Sequence, residues 1–200
     1  WATFGPWLMS CRCAFLDRMR SSRAALVLGD GDGRFTARLL NKNPLVQIDA
    51  ADASQAMLHA LVRNAGVHAK RLRMHRSDAR KWEPPGAPYD LIVTHFFLDC
   101  LTTGEIAALA TRLRACVTPS ALWVVSEFAI PRGWFGWLVA RPLIATLYLA
   151  FRLLTGLQIR RLPEHRTALG QSGFILARLH HSLGGLLVSE LWVPEANSLQ

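Results

Sequence analysis

The sequence predicts an α/β fold: a three-layer sandwich with a seven-stranded, mostly parallel sheet, the last strand antiparallel, and helices on both faces. Three observations carry this expectation. Short apolar runs alternate with helix-periodic segments between residues 24 and 128. The first run ends in three alternating glycines, Gly29, Gly31 and Gly33, directly ahead of a helix start. Near the C-terminal end, residues 173–180 and 186–193 face each other across Ser182-Leu-Gly-Gly185 as an antiparallel pair. Parallel neighbours need crossover helices, and those helices cover both faces of the sheet.

Residues 7–22 read as a helix with Trp7, Leu8, Cys11, Phe15, Leu16 and Met19 near one face. A first strand spans about 24–29, and Arg34–Leu40 continues as a helix. Asn41 to Pro44 is a turn into a second strand, Leu45–Ala50. Ser54 is a helix N-cap, with the helix running to about Asn64 and Gly66 just past its end. Residues 71–76 form a third strand, ahead of a Pro-Pro-Gly loop at 84–86. Leu91–Thr94 is a buried strand, 103–116 a helix with Ile106, Leu109 and Leu113 inward, and Leu122–Phe128 another strand. Residues 134–155 are apolar over a membrane-spanning length, but Arg141, Pro142 and Arg152 interrupt them. The stretch is therefore expected to be an insertion at about 132–160 that packs over a single domain.

Two hundred residues with 51% apolar content suit one domain with a substantial core. A net charge of +9 allows attraction to phosphate or an anionic membrane surface. The positive charge is mostly arginine and is spread along the chain, with one denser cluster at Lys70, Arg71, Arg73, His75 and Arg76. No aromatic RNA-binding signature interleaves it, so nucleic acid is not the expected partner. Cys11, Cys13, Cys100 and Cys116 lack paired metal spacing and read as free thiols of a reducing, cytoplasmic setting; no metal is expected. The chain starts at Trp1 with no signal-peptide pattern, and a trimmed N-terminus is expected.

A strand, a glycine turn and a helix start form a floor for a nucleotide-bearing ligand. Glycine reaches φ > 0 and exposes bare backbone, and the helix N-terminus offers unpaired N–H groups. A dinucleotide turn, G-x-G-x-x-G/A, would need a small residue at Arg34. G-x-G-x-G instead resembles the first motif of class I (Rossmann-like) S-adenosylmethionine-dependent methyltransferases, small-molecule type. Later motifs extend the resemblance over nearly the whole chain: Asp52-Ala-Ser-Gln-Ala-Met-Leu58, Ser77-Asp78-Ala79, Tyr89-Asp90-Leu-Ile-Val-Thr94, Val117 to Glu127, and the reversed final strand.

The resemblance implies a cofactor shell for S-adenosyl-L-methionine, with S-adenosyl-L-homocysteine as product. The backbone of Gly29, Asp30 and Gly31 would lie along the methionine portion. Asp52 would hold the ribose, with Ala53 beside the adenine. Asp78 and Ala79 would meet the adenine edge, and Thr94 with His95 would close the site from the fourth strand. Asp49 is a rival to Asp52, and the downstream Ser-x-x-Met-Leu favours Asp52. One position departs from the family. Val27 stands where it usually carries Asp or Glu, and Asp30 or Asp32 is expected to replace that carboxylate.

Methyl transfer is an in-line displacement that needs alignment, water exclusion and removal of the acceptor's proton. Candidates for the proton lie in Thr94-His95-Phe96-Phe97-Leu98-Asp99-Cys100 at a strand's carboxyl end: His95 as base or cofactor wall, Asp99 as orienting group or helix cap. His165 and Glu127 are secondary candidates. Thr94-His-Phe-Phe97 differs from the Asn/Asp/Ser-Pro-Pro-Tyr/Phe of enzymes that methylate bases or glutamine amides.

The apolar insertion, rich in Trp134, Phe135, Trp137, Tyr148 and Phe151, reads as a lid over a lipophilic acceptor, a dimer contact or a membrane-peripheral surface. The expected function is therefore O- or C-methylation of a small, lipophilic metabolite. The alternatives are a non-catalytic partner module of the same fold and an RNA methyltransferase.

Overall fold

The computed structural model describes residues 5–85, 88–131 and 163–196, and the insertion expected at about 132–160 lies outside them. In chain order the elements are α1 (Gly5–Arg12), β1 (Ala24–Leu28), α2 (Arg34–Lys42), β2 (Gln47–Asp52), α3 (Gln55–Ala65), β3 (Leu72–Arg76), β4 (Tyr89–His95), α4 (Thr103–Arg114), β5 (Val117–Phe128), α5 (His165–Gln171), β6 (Phe174–Ser182) and β7 (Leu187–Pro194). Among these residues no helix is long and apolar enough to cross a membrane.

The strands form one seven-stranded sheet in the order β3-β2-β1-β4-β5-β7-β6. Pairing is parallel from β3 through β5, and β7 enters antiparallel between β5 and β6. The expected mostly parallel sheet with a reversed last strand is therefore present.

Strand alternation sorts the core into two layers. Leu26 and Leu28 of β1 pack with Ile106, Leu109 and Leu113 of α4 and Leu169 of α5. Ala25 and Val27 face the other way, onto Phe35, Leu39 and Leu40 of α2 and Leu61 of α3. Both faces are helix-covered, which is why β1 reads as a continuous apolar run.

The N-terminal segment differs from the helix expected over 7–22. It is α-helical only through Arg12, then tightens into a 3₁₀ turn at Leu16–Met19. The break lets Met19 bury completely in the α2-side layer, while Asn43 Nδ2 caps the turn by donating to the Met19 and Ser22 carbonyls at 2.8 and 2.7 Å.

The basic cluster at 70–76 is largely built into the fold. Arg71 donates to the carbonyls of Leu40 (2.6 Å) and Asn43 (2.7 Å), and Arg73 and His75 both bind Asp49.

Gly33 joins the glycine turn to α2 at φ 78°, and a Cβ there would stand 2.6 Å from the Leu61 Cα. The neighbour is backbone and cannot yield. Gly33→Ala is expected to destabilise the fold by about 2 kcal/mol through positive-φ strain and overpacking. Urea unfolding measures it, and a loss under about 0.5 kcal/mol would contradict this packing.

Candidate functional site

The carboxyl ends of the parallel strands bring the sequence-predicted residues to one edge. At the end of β1, Gly29 and Gly31 both have φ 65°. The Gly29 N–H donates to the Ala51 carbonyl at 3.0 Å, which sets the turn beside Asp52 at the end of β2. The Ser77 N–H donates to the Asp52 carbonyl at 3.1 Å, which sets Ser77-Asp78 beside it in turn. Glycine turn, Asp52 and Asp78 are thus the ends of three adjacent strands, in the order the resemblance implies.

The two glycines differ in what they face. A Cβ on Gly31 would meet nothing within 4 Å, so the turn presents bare backbone to open space there. At Gly29 the Phe97 ring occupies the place a Cβ would take. Phe97 therefore packs the end of β4 directly onto the turn.

Asp52 is half-buried, and its Oδ1 accepts from the Ser54 N–H at 2.8 Å. Its Oδ2 has no hydrogen bond among the described residues and is open to a ligand. Burial pushes its carboxyl up, against the pull of the Ser54 amide. Ala53 next to it is exposed.

Asp49, the rival, is wholly buried and committed. It accepts from Arg73 Nη2 (2.6 Å), His75 (2.8 Å) and the Tyr89 hydroxyl (3.0 Å). Burial raises its carboxyl, but those three hydrogen bonds outweigh it and hold the group below the usual carboxylate range.

Asp78 is half-buried, and both its oxygens accept from Arg80, at 2.7 to 3.0 Å. Those bonds hold its carboxyl below the ordinary range. Ala79 is buried, with its carbonyl taken by Arg112 Nη2 at 2.9 Å. A purine here would share Asp78 with Arg80.

Val27 lies in the apolar α2-side layer with 1% exposure, so no carboxylate could stand there without a partner. The two carboxylates expected to replace it behave differently. Asp32 is on the surface, paired with Arg34 Nε at 2.8 Å. Asp30 turns inward and is buried; its Oδ2 accepts from the Thr36 N–H (2.9 Å) and hydroxyl (2.6 Å). It thereby caps α2, whose N-cap Gly33 has no side chain to do so.

Asp30 Oδ1 faces Arg12 Nη1 of α1 at 3.6 Å, and neither it nor Arg12 Nε has a hydrogen bond among the described residues. Burial pushes the Asp30 carboxyl up, against the pull of Arg12 and Thr36. Arg12 also stands over the Phe96 ring at 5.5 Å. The sequence offered no signal for Arg12, which reaches the turn only through tertiary packing.

At β4, Thr94 is fully buried and its hydroxyl accepts from Trp123 Nε1 at 3.0 Å, so its side chain belongs to the core. His95 is buried edge-on to Phe35, with Nδ1 2.9 Å from Ser126 Oγ. Its Nε2 has no hydrogen bond among the described residues. Burial, reinforced by Arg12, holds it well below the usual histidine range, so it is neutral at pH 7.

The chain then turns sharply. Phe96 adopts φ 53°, a conformation rare for a bulky residue, and its N–H donates to the Ser126 carbonyl at 2.6 Å. Glu127, at the end of β5, fixes the next two residues: its Oε1 accepts from the Phe97 N–H (3.2 Å) and the Leu98 N–H (2.8 Å).

Beyond this turn lies a cavity of about 610 Å³. Asp99, Glu127, His165, Arg166 and His181 bring polar groups to it, and Phe128, Ile130, Pro131, Leu179 and Val188 are among its apolar walls. Glu190 behind it is fully buried and accepts from His165 (3.1 Å), Arg166 Nε (2.6 Å) and Trp192 Nε1 (2.8 Å). Of the catalytic candidates, Asp99, His165 and Glu127 line this cavity and His95 does not. The edge thus offers a floor of bare backbone and half-buried carboxylates on β1–β3, and an adjoining cavity past β4.

Residues 26–122 match the family model described as a methyltransferase domain. A malonyl-[acyl-carrier protein] O-methyltransferase of Paenibacillus sp. (strain JDR-2) is 38% identical over 73 residues, 35% of this chain and 26% of that protein. Among solved structures, the mitomycin 7-O-methyltransferase MmcR superposes with a TM-score of 0.72 at 15% identity, over 96% of this chain and 55% of its own. A TehB-like SAM-dependent methyltransferase from Corynebacterium glutamicum gives 0.64 at 13% identity, over 92% and 88%. The chain spans about half the length of MmcR and a quarter of the Paenibacillus protein. The match to a methyltransferase domain therefore holds in sequence over 26–122, and the fold is shared with these solved structures over nearly all of the chain.

Proposed function

We propose that this chain, a methyltransferase-like domain of the class I fold, transfers a methyl group from S-adenosylmethionine to oxygen or carbon of a small, lipophilic metabolite. The observation that supports it most is the order of strand ends along one edge: Asp78 after β3, Asp52 at the end of β2, the glycine turn after β1, the β4 turn, then the cavity beside β5. Adenine, ribose and methionine portions map onto the first three in that order. The reacting end then falls at β4, next to the cavity.

The residues present suit that group. Gly31 leaves room for backbone contact, and Asp52 has an oxygen without a hydrogen bond among the described residues to meet ribose hydroxyls. When bound, the cofactor supplies an electrophilic methyl on a sulfonium. The protein's part is to bind, align and exclude water. Asp30, rather than Asp32, organises the turn below the methionine end by tying it to α2 and α1. His95, buried and neutral, acts as a wall of the cofactor site, and Asp99 orients the acceptor from the cavity side. A cytoplasmic setting completes the reading.

Isothermal titration of the wild-type chain with S-adenosylmethionine and S-adenosylhomocysteine tests it. Binding of both at micromolar concentration is expected. Failure of both to bind at high micromolar concentration would contradict the proposal and leave the non-catalytic partner reading.

A further inference from the structure

On the reading above, we propose that Glu127 is the general base of the reaction, taking the proton of a hydroxyl-bearing acceptor whose apolar body fills the cavity beside β5. The assignment rests first on placement. Glu127 has 1% exposure, lines the 610 Å³ cavity, and its Oε2 has no hydrogen bond among the described residues. Buried carboxylate oxygens are rarely left without a donor. A hydroxyl entering the cavity would supply one.

The second support is orientation. The Phe97 and Leu98 amides both grip Oε1, so the carboxyl plane is fixed and Oε2 is the atom left over. Phe97 itself packs on Gly29, so the turn that holds the base also touches the cofactor floor. A proton acceptor and the methyl donor's binding edge are thereby held by one short segment.

The surroundings set the group's proton affinity. Asp99 follows β4, Glu190 lies on β7, His165 and Arg166 on α5, and His181 on β6. Glu190 is already paired with Arg166 and accepts from His165. Burial, then the neighbouring Asp99 charge, pushes Glu127 well above the usual carboxylate range, against the pull of the Leu98 and Phe97 amides. A carboxylate with raised proton affinity is, in its ionised form, a stronger base than an ordinary one.

The step balances. The acceptor O–H bond breaks, with its proton going to Glu127 Oε2. The oxygen's electron pair forms the O–CH₃ bond. The S–CH₃ bond breaks, its electrons returning to sulfur as a neutral thioether.

The test uses 2-naphthol as the acceptor probe, an aromatic hydroxyl on an apolar body. Wild-type protein with S-adenosylmethionine is expected to yield the methyl ether. Glu127→Gln keeps an oxygen for the two amides and removes the base. It is expected to lower kcat about a hundredfold at neutral pH and to leave S-adenosylhomocysteine affinity unchanged. The deficit should close as pH rises toward about 10, where the phenol ionises unaided.

A Glu127→Gln enzyme as active as wild type, or one that loses cofactor affinity in step with activity, would overturn the assignment. So would a deficit that does not shrink at high pH. Wild-type protein that binds S-adenosylhomocysteine yet never methylates 2-naphthol would overturn the acceptor class. Absence of S-adenosylhomocysteine binding would instead sink the methyltransferase reading itself.

Discussion

Asp52→Ala is expected to weaken S-adenosylhomocysteine binding by about two to three orders of magnitude while leaving the fold intact. The carboxylate is half-buried at the end of β2, and its Oδ2 has no hydrogen bond among the described residues. Hydrogen bonds to a charged group contribute about 1.5–3 kcal/mol each, and the ribose would present two hydroxyls. The structural loss is small, because among the described residues the side chain bonds only to Ser54, which separately caps α3 through the Met57 N–H. Calorimetry of the variant against wild type, with far-ultraviolet circular dichroism as the fold control, measures the effect. Unchanged affinity would show that the ribose does not lie on Asp52.

Asp49→Ala is expected to do the reverse: a stability loss of about 3 kcal/mol without a selective effect on nucleoside affinity. Three residues earlier on the same strand, this carboxylate is buried and serves donors from β3 and β4. Part of the Arg73 contribution is screened, since that side chain is 67% exposed. Removing the carboxylate strips the acceptor from Arg73, His75 and Tyr89 at once.

The same group gives a pH signature. Its folded proton affinity lies below that of the unfolded chain, so its stabilisation is complete above about pH 4 and is lost as pH falls through the folded value. Glu190, held low by His165 and Arg166 against its burial, acts in the same direction. Urea midpoints of the wild type should therefore decline below pH 4 more steeply than those of Asp49→Ala. Equal slopes, or a neutral-pH loss under about 1 kcal/mol, would contradict a structural role for Asp49.

These two carboxylates show which parts of the site were legible before the structure. Asp52 is followed by Ala53-Ser54, and Ser54 caps a helix, so its position at a strand end could be read locally. The glycine turn was legible for the same reason, since positive φ at Gly29, Gly31 and Gly33 is a local requirement. The hairpin of β6 and β7 was readable from alternation and its turn.

What escaped the sequence is what depends on separation along the chain. Arg12 reaches Asp30 across 18 positions, and the Glu127 carboxyl meets the Phe97 and Leu98 amides across about 30. No local pattern encodes either contact. Thr94 was expected to close the cofactor site, yet its hydroxyl meets Trp123 in the core, because strand parity turns it to the α4 side. His95 faces the opposite layer, against Phe35. The N-terminal helix was overextended for a related reason: apolar periodicity continues through Met19, but burying Met19 requires the chain to tighten after Arg12.

S-adenosylmethionine is expected to lie along the carboxyl edge of β3, β2 and β1 with its reacting end toward the cavity. The most direct measurement is the structure of the chain with S-adenosylhomocysteine bound. The expected result has ribose hydroxyls within hydrogen-bond distance of Asp52, the amino-acid portion over Gly29–Gly31, and the adenine beside Asp78 and Ala79. A nucleoside bound elsewhere, or one that leaves Asp52 Oδ2 without a hydrogen bond, would contradict it.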